Sequence, residues 1–228
     1  MQKTFAILMV LLALTLAAIG FARPHNLSIA QAKLTDAVPL PATTTSPMSL
    51  FSSDWARALI AAAETQIGVT TIYDGSYQSL AYPGGDVPRT RGVCTDVIIR
   101  ALRDAHGIDL QKTVHEDMTR AFSAYPANWG LTRPDRNIDH RRVPNLRRFF
   151  ARHGAELPSP TPETEFHPGD LVTWTLGPGL PHIGIVSDRL VPGTDRPLIL
   201  HNVGAGARLE DFLHAYPMTG HYRLENRL

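Results

Sequence analysis

Three side chains form a set that could carry out nucleophilic catalysis: Cys94, His182 and His201. Cys94 is the only cysteine of the chain, so it cannot close an intramolecular disulfide and is either a core filler or a reactive thiol. Arg91-Gly92-Val93 precede it, and Thr95-Asp96, Val97, Ile98, Ala101, Leu102 and Ala105 follow it. That pattern places the sulfur at the start of a helix, where unpaired backbone N–H groups favour the thiolate, the nucleophilic form. The thiol needs a base, and histidine has the suitable pKa. His182 opens the apolar run Ile183-Gly184-Ile185-Val186, and His201 closes Leu198-Ile199-Leu200.

Side chains alternate faces on a strand, so His182, Gly184 and Val186 share one face, and Ile199, His201 and Val203 share one on the next strand. A hairpin across the Asp188 to Arg196 turn makes His182 and His201 cross-strand neighbours. His182 is then the base and His201 the residue that holds its ring, as the third member of a triad does. Asn202 points the other way and is the second choice for that position. The Cys94 N–H and one side-chain donor would meet the oxyanion. The competing reading of the same residues is a three-ligand zinc site with an open fourth position. Against it, the chain has no Cys-X-X-Cys, His-Glu-X-X-His or His-X-His pair.

The elements that must position this set read as helices first and strands afterwards. Trp55, Leu59, Ile60, Ala63 and Ile67 recur at helical spacing, with Ser53 as cap and Gly68 beyond the end. A second helix runs from Cys94 to Gly107, and a third from Pro144 to His153, burying Leu146, Phe149 and Phe150. Strands are expected at Leu171–Leu176, His182–Val186 and Leu198–Val203, with a short one around His221–Leu224. The fold class expected is α+β, with N-terminal helices packed on an antiparallel sheet.

Ahead of this domain, Met1-Gln2-Lys3-Thr4 followed by the uncharged run Phe5 to Gly20 reads as an export signal over residues 1–22. An uncleaved N-terminal anchor is the lesser alternative. Residues 23–51, with Pro39-Leu40-Pro41 and Thr43-Thr44-Thr45-Ser46-Pro47, read as a linker, and 52–228 as one domain. The expected location is periplasmic or secreted, and the expected state a monomer. With 22 basic and 21 acidic residues, the charge balance suggests neither nucleic acid nor an anionic membrane as partner.

Several local patterns resemble one known group. Tyr82-Pro83-Gly84-Gly85, then Cys94 at a helix start, then Pro168-Gly169-Asp170-Leu171-Val172, Pro181-His182-Ile183-Gly184-Ile185-Val186 and His201 resemble the NlpC-type cell-wall cysteine peptidases, which share a circularly permuted papain-like core. More narrowly, Tyr82–Asp96, His115-Glu116-Asp117-Met118, Asn137–Leu146 and Gly220-His221-Tyr222-Arg223 resemble the YijF-like family of secreted bacterial proteins of unknown function. The resemblance implies a papain-like core and hydrolysis of amide bonds in peptidoglycan stem peptides, with peptidoglycan or its fragments as partner and no cofactor. It implies Cys94 as nucleophile, His182 as base, His201 as orienting residue and Tyr82 as donor beside the oxyanion.

The peptidases carry Ser-Gly after the nucleophile, where this chain has Thr95-Asp96. A carboxylate at Asp96 would alter the preferred substrate charge and raise the thiol pKa. Arg89 and Arg91 flank the approach to Cys94, and Arg141 and Arg142 follow Asp139-His140. Arginine holds carboxylates through paired hydrogen bonds, so these four, with Asp96, are the expected substrate-binding residues. Transfer to an amine or alcohol in place of water is the neighbouring chemistry, and a non-catalytic cell-wall binding domain is the alternative from a different class.

Overall fold

The computed structural model describes residues 52–161 and 164–228; the expected signal and linker lie outside them. Helix α1 spans Asp54–Glu64. Ser53 caps it, its hydroxyl accepting the Ala56 N–H at 3.1 Å, which satisfies one of the donors a helix start leaves open. Leu59, Ile60 and Ala63 face inward. The helix stops a turn short of Ile67, which is exposed. The backbone tightens there into Gln66 N–H to Ala63 and Ile67 N–H to Glu64 bonds, while the Gln66 side chain turns in to donate to the Val97 carbonyl at 3.0 Å.

Two two-residue strands, β1 (Ile72–Tyr73) and β2 (Arg91–Gly92), pair in parallel and lead directly into α2 (Cys94–His106). Gly107 ends α2 at a φ of 67°, a conformation that costs a side chain dearly and glycine little. Helix α3 (Leu110–Arg120) was not expected from the sequence; Asp109 caps it through the Gln111 N–H at 3.0 Å, and Leu110, Val114 and Met118 share its buried face. Helix α4 spans Val143–Arg152, with Pro144 in its first turn, where the missing N–H costs nothing.

The strands β3 (Leu171–Leu176), β4 (Leu180–Leu190), β5 (Pro197–Asn202), β6 (Ala207–Glu210) and β7 (Met218–Tyr222) form one antiparallel sheet in the order β6-β5-β4-β3-β7. The α+β class therefore holds, with β6 and the β1–β2 pair as additions to the expected elements. Leu171, Ile183, Ile185 and Leu200 pack with α1, α2, α3 and α4 in one core. Val172, Trp174, Val186 and Ile199 pack on the opposite face with Phe166, Phe212 and Leu213. Both faces of the central strands are covered, which is why β3 to β5 are nearly continuous apolar runs.

Helix α2 is the pivot. It packs against α1, β4 and β5, and every residue from Cys94 to Leu102 is buried. Its polar members are each paired, as burial requires. Thr95 Oγ1 donates to the Arg141 carbonyl at 3.0 Å. The Arg100 guanidinium holds Asp86 through Nε at 2.9 Å and donates to the Val87 and Arg91 carbonyls at 3.0 and 2.9 Å. Asp96 accepts two Arg141 bonds, each 2.9 Å. The start of the helix is thereby fixed on all sides.

Candidate active site

Cys94 is the first residue of α2, and the residue before it, Val93, supplies no side-chain cap. Asp96 instead turns back to accept the Val93 N–H at 2.6 Å. The open N–H groups of Thr95 and Cys94 itself face the sulfur, as does the N–H of Ile183 on β4. That third donor exists because of the sheet's register. Pairing of β4 with β5 runs from Ile185–Leu200 toward the turn and ends before Ile183, leaving this N–H to the thiol.

The net electrostatics are not those of a resting thiolate. Burial pushes the Cys94 thiol up to about 12 and the nearby Asp96 charge adds to the rise, while the Ile183, Thr95 and Cys94 N–H groups only partly offset them. The helix-start N–H groups do favour the thiolate as expected, but removing the sulfur from water outweighs them together with the Ile183 N–H. His182 is driven well below the usual imidazole range, first by burial and then by His201. Cys94 and His182 therefore rest as a neutral thiol and a neutral imidazole.

His182 Nε2 and His201 Nδ1 are 2.8 Å apart. With Ile185 opposite Leu200, His201 lies opposite Gly184 and one diagonal step from His182. Gly184 makes this possible, since a Cβ there would stand 2.6 Å from Ile199 Cγ2 and 3.2 Å from His201 Cβ. The rings are packed by Phe212, whose centroid is 5.4 Å from His182 and 4.2 Å from His201, and by Trp174, 5.9 Å from His182. His201 Nε2 lies 3.1 Å from Glu210 Oε2 on β6. Among the described residues the His182 ring bonds through Nε2 to His201, and no hydrogen bond joins it to the Cys94 sulfur.

Above the sulfur lies a hollow of about 330 Å³, lined among others by Tyr73, Val93, Trp129, Arg141, Arg142 and Pro181. The tyrosine beside Cys94 is Tyr73. Burial around its hydroxyl raises its pKa first, the Asp96 charge adds to this, and an ionised Cys94 would raise it further, so the hydroxyl stays a donor. Tyr82 does not line the hollow. It stands edge-on to His115 of α3 at 5.3 Å and beneath the Arg136 guanidinium at 5.5 Å. Sequence reasoning missed Tyr73 because its placement depends on the β1–β2 pair, and a two-residue strand carries no periodic signal.

The four arginines separate. Arg89 is held by Asp104 through two 2.7 Å bonds, and Arg91 by Asp74 at 2.9 Å; neither lines the hollow. Arg141 lines it, yet its guanidinium is committed to Asp96 and to the Asp74 and Ser76 carbonyls, each at 3.2 Å. Arg142 bonds Asp139 at 2.8 Å and lies over the Trp129 ring at 4.1 Å, leaving most of its donors uncommitted at the mouth. Asp96 is 2% exposed, so it acts on the helix start and Arg141 and not on a bound molecule. Asn202 donates to the Gly92 carbonyl at 3.0 Å, tying β5 to the residues just ahead of Cys94.

No three His, Cys, Asp or Glu side chains among the described residues are grouped as metal ligands would be; the facing nitrogens of His182 and His201 are engaged with one another. Glu210, Trp129 and Tyr73 are the members of the site that the sequence did not reveal. Comparison with known proteins places these features in a family. Uncharacterized protein YijF of Escherichia coli (strain K12) is 54% identical over 167 residues, which is 73% of this chain and 80% of that protein. No solved structure matches. A family model described as Domain of unknown function (DUF1287) matches residues 60–224, a span that holds Cys94, Tyr73, His182, His201 and Glu210, and the chain belongs to that family.

Proposed function

We propose that this protein is an exported cysteine hydrolase that cleaves amide bonds in peptidoglycan stem peptides, with a papain-like arrangement of helix-borne nucleophile and strand-borne base. The observation that carries the reading is the placement of a helix-start cysteine at the floor of a hollow, facing three backbone N–H groups, beside a strand whose histidine is held by a second histidine. A buried cysteine that serves only as filler has no need of a cleft above it or of a buried histidine pair on the strands packed against its helix.

In this reading a substrate carbonyl enters over Cys94. The thiol proton passes to His182 Nδ1 as the sulfur attacks, which suits a pair that rests neutral. The Cys94 and Ile183 N–H groups, with the Tyr73 hydroxyl, meet the oxyanion. The amine leaves with the proton from His182, and water attacks the thioester with His182 again as base. Arg142, stacked on Trp129, takes a substrate carboxylate. Purified protein, residues 23–228, is expected to lose turnover in Cys94→Ala and His182→Ala and to lose less in His201→Ala. Activity retained by Cys94→Ala overturns the mechanism. Arg142→Ala is expected to raise KM for a carboxylate-bearing peptide about tenfold or more, from the ~1.5–3 kcal/mol of a charged hydrogen bond, while Arg89→Ala leaves it unchanged.

A further inference from the structure

We propose that Glu210 is a positioning residue that fixes the ring protons of both histidines, so that the nitrogen left bare on His182 is Nδ1. The inference rests on the reading of His182 as the base and extends it to a residue outside the expected triad. Its basis is a chain of two contacts, 3.1 Å from Glu210 Oε2 to His201 Nε2 and 2.8 Å from His201 Nδ1 to His182 Nε2. All three side chains are buried, at 8%, 0% and 1% exposure.

An ionised carboxylate has no proton to give and can only accept. Glu210 is ionised: burial alone would raise its pKa, but the His201 bond and the Arg208 guanidinium, 3.6 Å from Oε1, bring it below the usual range. With one proton, His201 carries it on Nε2, where it donates to Glu210. Its Nδ1 is thereby an acceptor, and the facing His182 Nε2 must be the donor. The one proton of neutral His182 is accounted for, and Nδ1 is bare. When the Cys94 proton arrives at Nδ1, the imidazolium charge is spread through His182 Nε2–H and His201 Nε2–H toward Glu210, and no proton leaves the relay. Removing the acceptor-only group lets the His201 proton move to Nδ1, which forces the His182 proton onto the atom that must receive the one from Cys94.

The test is a long-range nitrogen–proton correlation spectrum of the histidine rings in the full chain at neutral pH. The wild type is expected to show His182 and His201 both protonated at Nε2. Glu210→Gln keeps the shape but offers an amide donor as well as an acceptor, so the Nδ1-protonated form of His182 is expected to appear. In the same variant kcat is expected to fall by about tenfold to a hundredfold with KM within twofold, the range found for outer-shell partners that orient a histidine. A wild-type spectrum with His182 protonated at Nδ1 overturns the inference without any substitution, as does an unchanged His182 tautomer in Glu210→Gln. Because the spectrum needs no substrate, it stands apart from whether the protein hydrolyses peptidoglycan.

Discussion

At the residue scale the defining property of Cys94 is that it is buried and protonated at rest. With its pKa near 12, the thiolate fraction, and with it the alkylation rate by iodoacetamide, should rise about tenfold per pH unit from pH 7 to 10. A rate that levels off below pH 8 contradicts the dominance of burial at this sulfur. The three chemical side chains were legible in the sequence because each sits at a local signature, a helix start or the edge of an apolar strand. Asp96 raises the thiol pKa as expected, but as a substrate contact it misled, as did Tyr82 as a donor, because the sequence does not say which partner a side chain finds. Asp96 meets an arginine 45 positions away and is removed from the cleft, while Tyr82 is turned toward α3 by His115 and Arg136.

At the element scale, the site is held by the start of α2 and the register of β4 against β5. Asp96 secures the first of these, and its buried pair with Arg141 leaves an uncompensated guanidinium when broken. Asp96→Ala should destabilise the fold by about 3–5 kcal/mol, measured by urea unfolding, and a loss below ~1 kcal/mol would contradict the role given to the pair. Gly184 secures the second. A methyl group there collides with Ile199 and His201, so Gly184→Ala should cost about 1–3 kcal/mol and separate the two histidines, lowering kcat more than stability alone explains. The long helices and the strands β3 to β5 could be read from periodicity and apolar runs. Helix α3 could have been found from the Asp109 cap and the spacing of Leu110, Val114 and Met118. Strands β1, β2 and β6 could not, because they are two to four residues long and exist only through long-range pairing, and they carry Tyr73 and Glu210.

At the scale of the whole molecule, the core encloses neutral histidines, and this sets the pH range of stability. His140 is buried and its pKa is lowered to about 3, by burial first and then by Arg141; His182 is lowered likewise. The unfolded chain takes up protons at these positions near pH 6.5 and the folded one does not, so stability is full above that value and declines as pH falls from about 6.5 toward 3. A second loss follows below about pH 4 as Asp117 is protonated, since Arg152 holds its folded pKa near 2. Unfolding free energies measured from pH 7.5 to 4.5 should fall, and a curve that is flat over this interval would contradict the burial of neutral histidines.

The proposed function requires that the thiol of Cys94 cleave cell-wall peptides. The most direct measurement is mass spectrometry of muropeptides released from purified sacculi after incubation with residues 23–228, beside a Cys94→Ala control. New stem-peptide fragments are expected with the intact thiol alone, their masses naming the bond cut. The same fragments from both proteins, or none from either, would contradict it.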